Sequence, residues 1–135
     1  MRIQLEDGAY MPERAHPDDA GLDLRSPAEM WLHPGEHVAI DTGVHVMIPA
    51  GYVGLITSKS GLMSRGITSR GTIDSGYTGS IRAVLYNHGT EGLLIRRGDK
   101  ITQLVIVPCL TPELDVVEAL PETERGAGGF GSTGI

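Results

Sequence analysis

Residues 71–86, GTIDSGYTGSIRAVLY, join a glycine-rich turn to a run of alternating polarity. In the second half, Ile81, Ala83 and Leu85 share one face of an extended chain, because successive side chains of a strand point to opposite sides. The first half, residues 71–79, has three glycines and an aspartate, which are typical of tight turns. The stretch therefore predicts a β-hairpin or bulged turn that leads into a half-buried strand.

Strand patterns of the same kind occur on both sides of this stretch. Residues 43–48 (GVHVMI) alternate, and a turn at 49–51 precedes another candidate strand at 52–58. Residues 101–107 (ITQLVIV) are apolar except for one glutamine, and a short helix is compatible only with residues 60–67. Val, Ile and Thr total 30 residues, whereas Gly and Pro total 27, which favours short strands and tight turns. We expect a mostly β fold: a sandwich, a jelly roll or a small barrel.

Length and composition exclude several other classes of protein. A chain of 135 residues fits one domain with an ordinary core. The single cysteine, Cys109, excludes an internal disulfide framework and a cysteine-based zinc site. The sequence has neither an apolar leader nor a run near the roughly 18 apolar residues of a membrane span. We therefore expect a soluble cytoplasmic protein without membrane contact.

Charge is unevenly distributed along the chain. The net charge is −6, yet residues 59–100 carry seven basic and three acidic side chains. An acidic protein is a poor general binder of nucleic acid, so no direct nucleic-acid partner is expected. The basic middle suits a small polyanion such as a nucleotide phosphate, although scattered surface charge explains it equally well.

The last fifteen residues, 121–135, differ from the rest. Residues 126–134 contain five glycines, so we predict a flexible arm at 121–135 attached to a domain at 1–120. A generic terminus of this composition is usually disordered. This one also holds Arg125 and Phe130, which together with backbone N–H groups can fold over a nucleotide.

Three further positions suggest chemistry, each beside an ordinary structural explanation. Asp74 is either a backbone cap within a turn or a carboxylate that orients and deprotonates water. Lys59, Ser60 and Gly61 follow a strand and either grip phosphate or form a simple turn. Asp23 in AGLDL either faces solvent or is buried with a partner, because an unpaired buried charge is costly.

The order of these segments resembles the five motifs of the trimeric deoxyuridine triphosphatase (dUTPase) family. The matching segments are AGLDL at 20–24, KSGL at 59–62, GTIDSGYTG at 71–79, RGDKITQL at 97–104 and RGAGGFGSTG at 125–134. The resemblance implies a jelly-roll-like subunit in a homotrimer whose active sites are each built from more than one chain. It implies Mg²⁺-assisted hydrolysis of dUTP to dUMP and pyrophosphate, by attack of water on the α-phosphate. In a cell this reaction limits uracil in DNA and supplies dUMP for dTMP synthesis.

The resemblance also implies roles for the residues of the hairpin. Asp74 matches the base that activates water, and Tyr77 matches the ring beneath the deoxyribose. The backbone from Thr72 and Ile73 through Arg82 matches the segment that reads the uracil edge.

The other motifs are implied to handle the phosphates. Asp23 matches the acid that holds Mg²⁺ through water molecules, without direct ligation. Phosphate contacts match Lys59, Ser60 and Gly61, and Gln103 matches an amide that lines the site. In most of the family, Arg occupies the position of Lys59, so the charge is kept while the planar fork is lost.

The tail motif completes the implied site. Arg125 matches a clamp on the phosphates, and Phe130 matches a ring over uracil, followed by Gly131 and Ser132 as further contacts. Two alternatives on related folds stay open: a dCTP deaminase relative and a nucleotide-binding regulatory protein. The intact glycine tail and GTIDSGYTG favour hydrolysis.

Overall fold

The strands expected from the alternating sequence are present in the computed structural model, which describes residues 1–129. Within that range the elements are β1 Arg2–Leu5, β2 Gly21–Arg25, β3 Met30–Leu32, β4 His37–Met47, β5 Tyr52–Thr57, α1 Ser60–Met63, β6 Ile67–Ile73, β7 Ser80–Asn87, β8 Leu93–Ile95 and β9 Lys100–Pro108. The predicted mostly β architecture is therefore confirmed, and the one short helix of residues 1–129 lies within the segment 60–67 that is compatible with one. The described residues after Pro108 form no helix or strand, and the division of the chain at residue 120 stays a prediction.

Seven strands form one antiparallel sheet in the order β1-β4-β7-β6-β5-β9-β2, and β3 pairs with β8 in a separate ribbon. The large sheet is curled, because strands from its two ends contribute to one apolar cluster. Leu24 on β2 packs in the same core as Val44 and Val46 on β4, near the opposite edge. This closure around buried aliphatic side chains gives the jelly-roll-like shape.

Alternation along β4 and β7 decides which side chains enter the cores. Ile81, Ala83 and Leu85 are fully buried, as the period of two predicts. Val44 and Val46 are also buried, while the intervening His45 is only partly covered. The predicted apolar faces of residues 43–48 and 80–86 are therefore confirmed as buried.

The stretch that begins with residue 71 forms a hairpin between β6 and β7. Strand β6 ends at Ile73, β7 begins at Ser80, and residues 74–79 connect them. The turn is closed by a hydrogen bond from the Tyr77 N–H to the Asp74 carbonyl oxygen at 3.0 Å. Asp74 and Tyr77 are thus held on a short connection between two paired strands.

Close packing requires a glycine at position 54 but not at position 71. A Cβ at Gly54 would lie 2.7 Å from Ile48 Cδ1 and 2.8 Å from Leu104 Cδ1, whereas a Cβ at Gly71 would meet Ile56 at an ordinary 3.6 Å. We expect Gly54→Ala to lower the free energy of unfolding by about 1–3 kcal/mol through overpacking. We expect Gly71→Ala, on the neighbouring strand, to change it by less than about 0.5 kcal/mol. Urea denaturation measures both, and equal losses would contradict this account of the core.

Candidate active site

A buried carboxylate on β2 forms one half of the candidate site. Asp23 is 4% exposed and faces Gln103 across the β2–β9 pair. Its Oδ1 accepts a hydrogen bond from Lys59 Nζ, and its Oδ2 accepts one from Lys100 Nζ at 2.8 Å. Burial raises the pKa of Asp23, but the hydrogen bonds from Lys100 and Lys59 outweigh it, so the pKa lies below its usual value. Asp23 is therefore a fixed negative charge.

The ion pairs extend beyond Asp23. Glu13 lies 3.8 Å from Lys100 Nζ and also pairs with Arg25. The hydrogen bond from Arg25 is the main reason that the pKa of Glu13 lies below its usual value. Glu13 and Lys100 were not among the residues singled out from the sequence. Lys100 did lie in the quoted RGDKITQL segment, directly before the apolar strand that carries Gln103.

A pocket of about 310 Å³ opens beside Asp23. It is lined by Ala15, Asp19, Ala20, Gly21, Asp23, Lys59, Gln103 and Val105. The Gln103 side chain crosses the face of Gly21, where a Cβ would lie 2.2 Å from its Oε1, and Gln103 Nε2 donates to the Ser58 carbonyl oxygen at 3.3 Å. The pocket thus combines two carboxylates, one ammonium group and one amide.

Ser60 and Gly61 lie directly beyond Lys59, at the start of α1. Both are exposed, and a Cβ built at Gly61 meets nothing within 4 Å. Their backbone is therefore open to close approach by another molecule. The structure brings Asp23, Lys59 and Gln103 to one pocket, and Ser60 and Gly61 follow Lys59 in the chain.

The hairpin forms the second half of the candidate site. The Tyr77 hydroxyl donates to the Ser80 carbonyl oxygen at 3.0 Å, and its ring lies against Gly79, where a Cβ would be 2.4 Å from the hydroxyl oxygen. Asp74 is exposed, and its carboxylate makes no hydrogen bond or ion pair with any of residues 1–129. The hairpin therefore presents an unpaired carboxylate near a half-exposed aromatic ring.

The remaining hairpin residues lie along its two strands. Thr72 and Ile73 pair with β5, and Ile73 is almost fully buried. Arg82 is exposed on β7, where its Nε lies 3.6 Å from Asp41 Oδ2 on β4. A hydrogen bond from Ser80 is the main reason that the pKa of Asp41 lies below its usual value.

The register of β5 separates the two halves. Gly54 pairs with Ile73 at the hairpin end, while Thr57 pairs with Gln103 at the other end, just before Lys59. Asp74 follows Ile73 and therefore lies beside the β5 position just before Gly54. From that position to Lys59 the chain advances six residues, which is roughly 20 Å at about 3.3 Å per residue. One copy of the chain does not bring Asp74 and Tyr77 to the pocket beside Asp23.

In the C-terminal segment, the predicted phosphate-binding residue Arg125 contacts neither half of the candidate site within residues 1–129. Arg125 is exposed, and its Nε donates to the Gly128 carbonyl oxygen within its own turn at 3.1 Å. Phe130, Gly131 and Ser132 lie outside the described residues. Apolar side chains earlier in the segment are almost fully exposed: Leu110, Leu114, Val116 and Leu120.

Within residues 1–129, no group of three or more His, Cys, Asp or Glu side chains is placed to hold a metal ion. No helix in that part of the chain has the length and apolarity needed to cross a membrane.

Comparisons with known proteins cover nearly the whole chain. The family model described as dUTPase matches residues 7–134. The deoxyuridine 5'-triphosphate nucleotidohydrolase of Nocardia farcinica is 43% identical over 136 residues, covering 97% of this chain and 82% of that protein. The protein of the same name from Clostridium tetani is 41% identical, covering 96% of this chain and 92% of that protein.

Solved structures lead to the same family. The dUTPase of Staphylococcus bacteriophage 80alpha with dUPNHPP superposes with a TM-score of 0.92 at 37% identity, covering 99% of this chain and 98% of that one. A mutant dUTPase from phage phi11 of S. aureus, described with a structural Mg(II) ion, has a TM-score of 0.81 at 37% identity, covering 87% of this chain and 96% of that one. The expected jelly-roll-like fold is thereby confirmed, and the chain belongs to the dUTPase family of nucleotide-hydrolysing enzymes.

Proposed function

We propose that this protein hydrolyses dUTP to dUMP and pyrophosphate. The observation that carries the proposal is the hairpin, which holds the Asp74 carboxylate, without a partner in residues 1–129, three residues from the half-exposed Tyr77 ring. The names of the relatives and the dUTP analogue held by the phage 80alpha protein support this substrate. In a cell, the reaction limits uracil in DNA and supplies dUMP for dTMP synthesis, and we place the protein in the cytoplasm.

The attacking water is activated by Asp74 in this proposal. Its carboxylate takes a proton from water, the water oxygen bonds to the α-phosphorus, and the bond from that phosphorus to the bridging oxygen breaks. Pyrophosphate then leaves with the bonding electrons. A positioned general base contributes about 10²–10⁴-fold, so the rest of the rate enhancement must come from positioning and charge neutralisation.

The nucleoside binds along the hairpin. Residues 74–79 lie outside the strand ladders, so most of their N–H and C=O groups are available to a pyrimidine edge. Tyr77 packs under the sugar, where a 2′-hydroxyl meets the ring. The backbone of Thr72, Ile73 and Arg82 continues this contact surface.

The triphosphate binds beside the pocket at Asp23. Lys59 offers an ammonium group, Gly61 an unobstructed backbone, Ser60 a hydroxyl and Gln103 an amide, which together partly neutralise about four negative charges. Lys59 Nζ donates one of its three N–H groups to Asp23, so the others can contact phosphate, and Lys100 also holds the carboxylate.

The residues at this pocket suit Mg²⁺ that arrives with the substrate. Mg²⁺ commonly takes one or two carboxylates, several waters and substrate phosphates. Both Asp23 oxygens already accept hydrogen bonds from lysines, which favours contact through water over direct ligation. When bound, the ion would neutralise developing charge on the phosphates.

A complete site requires more than one copy of the chain. The roughly 20 Å between hairpin and pocket is too long for one dUTP to reach Asp74 and Lys59 of the same copy. The exposed leucines and valines at 110–120 are also suited to lie on a neighbour. We therefore propose a homotrimer whose sites combine the hairpin of one copy with the pocket of another.

The tail closes over the bound nucleotide. Arg125 is exposed and free to move onto phosphate, and the glycines that follow permit close approach of backbone N–H groups. Phe130 covers the base, with Gly131 and Ser132 adding contacts. Closure excludes bulk water from the reacting phosphorus.

Release of pyrophosphate separates this function from its alternatives. Purified protein with Mg²⁺ is incubated with dUTP, dCTP, UTP and dTTP, and release is expected from dUTP far above the others. Release of ammonia from dCTP would indicate a deaminase. Tight dUTP binding without turnover would indicate a regulatory protein on the same fold.

Asp74→Asn removes the proposed base at almost constant shape. We expect turnover of dUTP to fall at least about 10²-fold, with binding of a non-hydrolysable dUTP analogue retained. Glu29→Gln is the control: it removes one negative charge, as Asp74→Asn does, from an exposed side chain outside the site. It should leave turnover unchanged. Near-normal turnover in Asp74→Asn would remove this residue from the mechanism.

Mixing two weak variants tests the shared site. Asp74→Asn loses the hairpin base, and Lys59→Ala loses a phosphate contact while Lys100 keeps Asp23 paired. After unfolding and refolding together in equal amounts, roughly one quarter of the sites should combine an intact hairpin with an intact pocket. We expect activity near that fraction of wild type, with a mass of three chains by light scattering. A mixture no more active than the mean of the two variants would place both residues in one copy.

Tyr77 is expected to exclude ribonucleotides. Tyr77→Ala should narrow the preference for dUTP over UTP, mainly by reducing kcat/KM for dUTP. Tyr77→Phe keeps the ring and loses only the hydrogen bond to Ser80, so it should retain the preference. The measurement is the ratio of kcat/KM for the two substrates, and an unchanged ratio in Tyr77→Ala would place the sugar filter elsewhere.

A further inference from the structure

His45 on β4 connects the hairpin to the segment after β1. Its Nδ1 lies 2.8 Å from the Thr78 carbonyl oxygen, next to Tyr77 in the hairpin. Its Nε2 lies 2.9 Å from Glu6 Oε1. The side chain is 21% exposed, so the ring is partly shielded from competing water.

Both partners of the His45 ring are oxygen acceptors at neutral pH. A carbonyl oxygen only accepts, and an ionised carboxylate only accepts. A neutral imidazole donates through one nitrogen and places a lone pair on the other. Both contacts are therefore satisfied only when the ring is protonated on both nitrogens.

The charged surroundings of His45 come from several elements. Glu6 follows β1, and Asp41 lies on β4. Arg82 on β7 pairs with Asp41, and Arg2 on β1 lines a surface pocket together with His45. The hydrogen bond to Thr78 and then the one to Glu6 raise the pKa of His45 above its usual value. Partial burial of the ring acts against this shift, and Arg82 is already paired with Asp41.

We propose that protonated His45 is a positioning residue that holds the Thr78 arm of the hairpin, and with it Tyr77, ready to bind dUTP. The expected change in KM rests on the proposed function, whereas the contacts of His45 with Thr78 and Glu6 do not. As pH rises through the pKa of His45, the ring loses a proton and one of its two hydrogen bonds, and in the tautomer that keeps its proton on Nε2 for Glu6 the lost bond is the one to Thr78. The binding-competent hairpin then becomes less populated, so KM for dUTP rises, while kcat changes little because bound substrate itself holds the hairpin.

The kinetic test compares four proteins between about pH 6 and 9. In wild type we expect KM for dUTP to rise about 3- to 10-fold across the titration of His45, the scale of the net contribution of one ordinary hydrogen bond. His45→Gln keeps a neutral donor and should lose this step. Glu6→Gln should move the midpoint to lower pH, because the carboxylate that favours the imidazolium is gone. His88→Gln, whose ring contacts only the Thr68 hydroxyl by hydrogen bond within residues 1–129, should behave as wild type.

A second measurement separates this inference from the proposed function. NMR titration of the ring should give His45 a pKa above the usual value for histidine, and hydrogen exchange at residues 74–79 should quicken above that pKa in wild type but not in His45→Gln. If the protein does not hydrolyse dUTP, these two results still decide the inference. If the pH profile of KM and the hydrogen exchange of residues 74–79 are the same in His45→Gln as in wild type, the proposal for His45 is overturned. If His45→Gln does not fold, an unmoved midpoint in Glu6→Gln would overturn it as well.

Discussion

Strand β5 pairs with β6 on one side and β9 on the other, and this pairing fixes the distance between the two groups of site residues. The hairpin begins where β6 leaves β5, and the pocket at Asp23 lies where β9 and β2 pass the opposite end. Because strand pitch is nearly constant, no local adjustment closes a gap of roughly 20 Å. Assembly of copies is therefore a direct consequence of the sheet register if both groups act on one substrate.

The two carboxylates of the proposed site differ because their surroundings differ. Asp23 is buried and accepts hydrogen bonds from two lysines, which lower its affinity for a proton. Such a group is suited to hold charge in place and is poorly suited to take a proton from water. Asp74 is exposed on a turn and has no partner in residues 1–129. In the proposed mechanism, a substrate that spans both carboxylates has the proposed Mg²⁺-holding Asp23 near its phosphates and the proposed base Asp74 at its reacting phosphorus.

The sequence alone predicts those parts of the structure that depend on neighbours along the chain. The alternation of Ile81, Ala83 and Leu85 and the turn at 71–79 gave the buried face and the hairpin correctly. The pairing of Lys100 with Asp23 was not predictable in this way. It depends on β2 lying beside β9, and a register shift between Leu24 and Arg25 brings Arg25 opposite Lys100. The contacts of His45 were missed for the same reason, since Thr78 is 33 residues away and Glu6 is 39.

The hairpin is held by an irregularity in β4 as much as by its own turn. The ladder between β4 and β7 shifts register between Asp41 and His45, and Gly43 at φ +66° makes the bend. Within this bend Asp41 accepts from the Ser80 hydroxyl, Thr42 donates to the Ile81 carbonyl oxygen at 2.7 Å, and His45 contacts the Thr78 carbonyl oxygen. Three side chains from one bulge thus fix three positions of the hairpin arm that carries Tyr77. A bulge permits this because it brings side chains that regular alternation would send to opposite faces onto one stretch of the neighbouring strand. The geometry of the proposed nucleoside contact is consequently set by residues more than thirty positions before it in the chain.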